Sequence, residues 1–135
     1  MKKIFLALVV ILIFTNTIHA ANFKWTQIIT SVDENEFYLD KSSIYKVGSY
    51  HYYWSLINIL KDPDKDPSNI TFNIVNCDTY ENKTVTYVIY YKNMGKGPAE
   101  AEIIIPDENP EYFEWQKFGI DTAMYKILEA VCKIK

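Results

Sequence analysis

Along the segment Asn69–Cys77 apolar and polar residues alternate, with Ile70, Phe72 and Ile74 on one side and Thr71, Asn73 and Val75 on the other. This is the period of a half-buried β-strand. Similar patterns, rich in aromatic and β-branched residues, recur at Phe23–Thr30, Glu36–Asp40, Tyr50–Leu60 and Thr84–Tyr91, with a sixth strand at Ala99–Ile105 ended by Pro106. The breaks between them are polar: "VDEN" makes a hairpin of the first two strands. "KSSIYKVGS" forms a turn or one helical turn, and "KDPDKDPS" carries two prolines and three aspartates that stop a strand. The period changes near the C-terminus. There Met124, Ile127, Leu128, Val131 and Cys132 fall on one helical face behind Asp121 as N-cap, while Lys126, Glu129 and Lys133 lie off it. A helix of about 14 residues is marginal alone in water and needs a sheet face to cover. The fold class is therefore α+β, six strands followed by one C-terminal helix.

The first 20 residues stand apart. Lys2 and Lys3 precede the apolar run Ile4–Phe14, and the short polar stretch after it ends at Ala20. This is the pattern of a secretory signal peptide cleaved after Ala20, too short for the roughly 20 apolar residues of a membrane-spanning helix. No cysteine lies near the junction, so no lipid anchor is expected. The remaining residues, 21–135, are expected to form a single domain with one core. Export permits a Cys77–Cys132 disulfide, which would fasten the helix to the sheet.

Charge and composition narrow the function. Loss of Lys2 and Lys3 from the 14 basic residues leaves 12 against 17 acidic ones, a formal charge of −5, and arginine is absent. An acidic surface without guanidinium groups argues against nucleic acid as a partner. A single histidine, His51, survives processing and both thiols are assigned to the disulfide. Hydrolytic triads and dedicated zinc sites therefore lack their groups, and neither a metal nor a cofactor is expected. Asp62, Asp64 and Asp66 start like a calcium loop, but Pro67 stands where glycine is needed and Asn73 where a glutamate is needed. The carboxylate pairs Glu100 with Glu102 and Asp107 with Glu108 have no apolar pocket implied around them. "NIT" at Asn69 and "NKT" at Asn82 match the glycosylation acceptor pattern.

The distinctive component is tyrosine, 11 in all, a side chain suited to binding surfaces. In the third strand Tyr50, Tyr52, Trp54 and Leu56 match the apolar stripe of the helix. That leaves His51, Tyr53 and Ser55 facing outward. In the fifth strand Val85, Tyr87 and Ile89 are buried and Thr86, Val88 and Tyr90 face out. His51, Tyr53, Thr86 and Tyr90 are thus the candidate contact surface, the alternative being that they complete sheet packing or a dimer seam. On this basis, replacing Tyr53 and Tyr90 with alanine should weaken partner binding and leave thermal stability unchanged.

Several of these residues also carry a resemblance. Trp25, "FYLD" at Phe37–Asp40, Ser43–Ile44, Trp54, "NCD" at Asn76–Asp78, "YVIYY", "MGKG", Trp115 and Cys132 stand in an order and spacing similar to the surface-adhesin protein E family of exported Gram-negative proteins. The resemblance implies a six-stranded antiparallel β-sheet with the C-terminal helix packed on its concave face and tethered by the disulfide. It also implies a tendency to homodimerise, and adhesion to host matrix or serum proteins such as laminin, vitronectin and plasminogen. The expected function is a non-catalytic exported protein-binding module, in the periplasm or at the cell surface. The alternative is a periplasmic protein that binds a small apolar ligand or inhibits a wall-degrading enzyme.

Overall fold

The computed structural model describes residues 22–61, 67–97, 102–103 and 110–135. Among these residues eight strands and one α-helix follow in chain order: β1 (Trp25–Thr30), β2 (Glu36–Asp40), β3 (Tyr45–Val47), β4 (Tyr50–Asn58), β5 (Ser68–Asn76), β6 (Glu81–Tyr90), β7 (Glu102–Ile103), β8 (Gln116–Lys117) and α1 (Ala123–Cys132). All pairs are antiparallel, in the order β1-β2-β4-β5-β6-β7, with β3 beside β4 and β8 beside β6.

The two extra strands share positions with neighbours, so the sheet keeps six positions. β2 pairs with Ser55–Asn58 of β4 and β3 with Tyr50–Tyr52 on the same edge. Between them the chain steps outward through a 3-10 turn, Lys41–Ser43. Asp40 caps this turn by accepting from the backbone N–H and the hydroxyl of Ser42, at 3.0 and 2.6 Å. Likewise β7 lies beside Val88–Ile89 and β8 beside Glu81–Asn82 of β6. Of the expected sixth strand Ala99–Ile105, Glu102–Ile103 are seen as β7. Residues 98–101 and 104–109 lie outside the described residues, as do the signal segment and Asp62, Asp64 and Asp66.

The helix begins one residue later than the sequence suggests, because Thr122 rather than Asp121 is its N-cap: its hydroxyl accepts from the Tyr125 N–H at 3.2 Å. It spans 10 residues and buries Ile127, Leu128 and Val131. These pack with Leu39, Tyr53 and Val75 into the main core. The expected Cys77–Cys132 disulfide is present, with a Cα–Cα distance of 5.6 Å. Beside it the His51 Nε2–H donates to the Ile134 carbonyl at 3.1 Å, while Nδ1 lies 3.1 Å from Cys77 Sγ. Tail, helix and β4 are therefore joined at one corner.

The helix covers the side of β4 opposite to the expected one. Tyr53 is 0% exposed and His51 3%, both beneath the helix, whereas Tyr50, Tyr52 and Trp54 face away from it. The reason lies in register. Trp54 opposes Phe72 and Phe72 opposes Thr86, so these share a face, and the helix side of β5 carries Asn69, Thr71, Asn73 and Val75. A bulge after Phe72 inserts Val85 as an unpaired extra residue of β6, which leaves it 42% exposed. Tyr87 and Ile89 lie on the helix side, as expected, with Ile89 buried.

Burial holds Tyr53 neutral, its hydroxyl pushed far above the ordinary 10.0, and that hydroxyl donates to Asn82 Oδ1 at 2.8 Å. Tyr38 is also raised, first by burial and then by its hydrogen bond to Glu36. The unfolded chain ionises tyrosine near pH 10, so the stability held by these groups is whole below that pH. It declines as the pH rises above it, by up to about 1.4 kcal/mol per pH unit from Tyr53. Thermal melts should show a level Tm below about pH 10 and a falling one above it. Tyr53→Phe should flatten that slope while costing about 1–3 kcal/mol at neutral pH, because Asn82 Oδ1 loses its donor.

Candidate functional site

The face without the helix carries a connected row of aromatic rings. Trp25 stacks on Phe23 at 4.7 Å between centroids, Phe23 meets Trp54 at 5.2 Å and Trp54 meets Phe72 at 4.9 Å. Phe72 contacts Tyr52 at 6.3 Å, and Tyr52 lies parallel to Tyr45 at 4.7 Å. Register produces the row: Trp54 and Phe72 are direct cross-strand partners, as are Tyr52 and Tyr45. Nearby, Tyr50 and Trp115 meet at 6.0 Å. The row is packed at its centre and open at its rim, where Tyr45 is 50% exposed and Trp115 46%.

Among the described residues, two clefts flank the row. One, of about 390 Å³, lies among Phe23, Trp25, Ile70, Tyr90 and the turn Met94–Gly97. That turn is strapped down: the Met94 N–H donates to Asn58 Oδ1 at 2.8 Å, and the Gly95 N–H to Ser68 Oγ at 3.0 Å. Gly95 has φ +61°, and a Cβ there would overlap Ile70 Cδ1. Gly95→Ala is therefore expected to destabilise the protein by about 2–4 kcal/mol, from left-handed backbone strain and overpacking together. Its Tm measures this, and the Tyr90 cleft should open. The second cleft, of about 520 Å³, is lined by Ile74, Lys83, Thr84, Val85, Pro110, Phe113, Glu114 and Trp115.

The four expected contact residues divide between the two faces. Thr86, opposite Phe72, and Tyr90, in the first cleft, lie on the aromatic face and are half-buried. His51 and Tyr53 lie under the helix, where neither can meet a partner. Cys77 and Cys132 form the disulfide, as expected. Sequence reasoning missed Phe23, Trp25, Tyr45, Trp54, Phe72 and Trp115 as surface-forming residues. The available signal was the apolar side of β5, which pairs with the Trp54 side of β4. Asn69 and Asn82 are 5% and 3% exposed, which closes both apparent glycosylation acceptors in the folded protein.

The surface is broad, aromatic and flanked by Lys83 and Lys96. Such a surface suits contact with another macromolecule. Among the described residues no helix is long and apolar enough to cross a membrane.

The fold has solved counterparts. It is similar to crystal form II of Haemophilus influenzae protein E, at TM-score 0.54 and 17% identity, covering 80% of this chain and 86% of that one. It is also similar to protein E from non-typeable Haemophilus influenzae, at TM-score 0.55 and 17% identity, covering 80% and 74%. No curated protein sequence matches the chain. At this identity the likeness speaks for the fold alone. Family is decided by sequence: the surface-adhesin protein E profile matches residues 25–133, from Trp25 at the start of β1 past the disulfide at Cys132, and the chain belongs to that family.

Proposed function

We propose that this protein is a non-catalytic, exported protein-binding module of adhesin type, whose aromatic face engages host matrix or serum proteins. Family membership supports export and a protein partner. The single observation that carries the choice of face is the polarity of β5. Its apolar residues Ile70, Phe72 and Ile74 point away from the helix, while Asn69, Thr71 and Asn73 point toward it. A sheet that needed only a core under its helix would be patterned the other way. Residues 1–20 are removed on export in this reading, and the mature domain works at the cell surface. Recovery of the mature chain from the periplasm alone would contradict that location.

The binding test uses purified mature protein with laminin, vitronectin and plasminogen as probes. Tyr45→Ala and Trp115→Ala, both at the exposed rim, should each weaken binding by about 10- to 30-fold, with Tm nearly unchanged. Binding that is unaffected by both variants would remove the aromatic face from consideration. A homodimer through the same face is the competing occupant. It would appear as concentration-dependent sedimentation that the same variants abolish.

A further inference from the structure

α1 carries two rows of side chains. Ile127, Leu128 and Val131 are buried against the sheet. Beside them Lys126, Glu129, Ala130 and Lys133 recur at helical spacing along one flank. A groove of about 440 Å³ runs between this flank and β1, lined also by Ile28, Ile29, Lys41 and Ile134. Its apolar part, Ile28, Ile29, Ala130 and Ile134, is half-buried. The β1 isoleucines enter it because β1 is bulged against β2. Gln27 opposes Tyr38 and Ile29 opposes Phe37, which leaves Ile28 as the extra residue and re-aims the side chains around it.

β1 ends the sheet on this side. One of its edges pairs with β2, and among the described residues no strand pairs with the other. Such an edge offers backbone N–H and C=O groups to an incoming strand. The rim is basic on a chain whose formal charge is −3. The ammonium groups of Lys41, Lys126 and Lys133 stand against the single carboxylate of Glu129, which Lys126 already holds at 3.2 Å. Among the described residues Lys41 and Lys133 have no carboxylate partner. The walls are also fixed in advance. Asp40 caps the turn that carries Lys41, and the Ile134 carbonyl accepts from His51 at 3.1 Å, just beyond the disulfide at Cys132. A preformed groove lowers the ordering cost of binding a peptide.

We infer that this groove takes an extended, acidic segment of another protein as an added strand beside β1. Main-chain hydrogen bonds to the open edge supply affinity. Alternate aliphatic side chains fill the trough between Ile28, Ile29, Ala130 and Ile134, and carboxylates on the same side of the segment meet Lys41 and Lys133. A second copy of this chain is the poorer fit, because pairing two β1 edges brings like-charged lysine rims together. The groove lies on the helix side, opposite to the aromatic row, and does not depend on the reading given for that row.

The probe is a synthetic peptide with a Thr-Val-Thr-Val-Thr centre flanked by paired glutamates, which places both valines and a glutamate at either end on one face of a strand. NMR titration of the mature protein should give saturable shifts at the backbone amides of residues 26–30 of β1 and at Lys126, Ala130 and Lys133. The same peptide with lysines for glutamates should bind about tenfold more weakly or worse, and affinity should fall as ionic strength rises. Lys41→Glu combined with Lys133→Glu should weaken binding by about tenfold or more with Tm held, both side chains being exposed. Tyr45→Ala and Trp115→Ala, on the other face, should leave it unchanged. Strand addition is read separately, by N-methylating the peptide at its valines or at its threonines. Alternate amides point at β1, so at least one of the two methylated peptides must bind about tenfold more weakly. Equal binding by the parent and both methylated peptides, absence of saturable shifts, or shifts confined to the aromatic face overturns the proposal. Shifts in β1 that grow with protein concentration alone, without peptide, would give the groove to a second copy and overturn it as well.

Discussion

Replacing Tyr53 with alanine is expected to be the most damaging single change, lowering stability by about 4–6 kcal/mol. Removal of a fully buried ring typically costs about 3–5 kcal/mol. The loss of its hydroxyl also leaves Asn82 Oδ1 buried without a donor, which costs about 1–3 kcal/mol more if the site does not relax. Against a total of about 5–15 kcal/mol for a small domain, this is enough to unfold much of the population near physiological temperature. Chemical denaturation of the purified variant measures it. A loss below about 1 kcal/mol would mean that Tyr53 is not enclosed between β4 and α1. The sequence alone implies the opposite for this position, an exposed side chain whose removal alters binding only. The position therefore separates the two arrangements of β4 cleanly.

Removal of the Cys77–Cys132 disulfide by the double serine variant should have the next largest effect. The bond closes a loop with a sequence separation of 55, for which the chain-entropy estimate is about 4 kcal/mol. For a domain of this size that corresponds to a fall in Tm of roughly 15 °C. The helix itself should stay docked at 25 °C. Burial of Ile127, Leu128 and Val131 contributes about 1.5–3 kcal/mol for each side chain, which exceeds the marginal instability of an isolated short helix. Far-ultraviolet circular dichroism should then be near native before the melt, with the transition displaced to lower temperature. Loss of helical signal at 25 °C would show that the covalent tie, rather than the apolar stripe, holds α1 in place.

What the sequence made legible follows from how strongly each pattern is determined. The helix stripe has a single solution, because Ile127, Leu128 and Val131 recur at helical spacing and nothing apolar lies on the other side. The disulfide is equally determined by two cysteines and an export signal. The strands were legible as elements, and their number as positions in the sheet, although β3 and β8 were hidden in segments too short to show a period. The facing of β4 was not legible. Its two sides, Tyr50–Tyr52–Trp54–Leu56 and His51–Tyr53–Ser55, both carry aromatic residues, so amphipathicity does not choose between them. The choice is made by pairing with β5 and by the bulge after Phe72, long-range facts that a local pattern does not contain. The same ambiguity split the expected contact set: Thr86 and Tyr90 lie on the aromatic face, and His51 and Tyr53 beneath the helix.

The helix side of β5 was visible as letters and misleading as a pattern. Asn69, Thr71 and Asn73 look like the solvent side of an alternating strand, and here they are buried. For Thr71 and Asn73, hydrogen bonds to each other and to Ser55 and Thr84 make that burial tolerable. Conversely, the apolar partners Ile70, Phe72 and Ile74 look like core. Only Ile70 is fully buried, beneath the Gly95 turn, while Phe72 and Ile74 are half-buried and support an aromatic surface.

The proposed protein-binding role depends on the aromatic face being the free one. Hydroxyl-radical footprinting of the native, disulfide-intact protein with peptide mass spectrometry tests that most directly. Tyr45, Tyr50 and Trp115 should be oxidised rapidly, while Tyr53 and His51 should be protected until the protein is unfolded. Oxidation of Tyr53 at a rate comparable to Tyr45 in the folded protein would contradict the account.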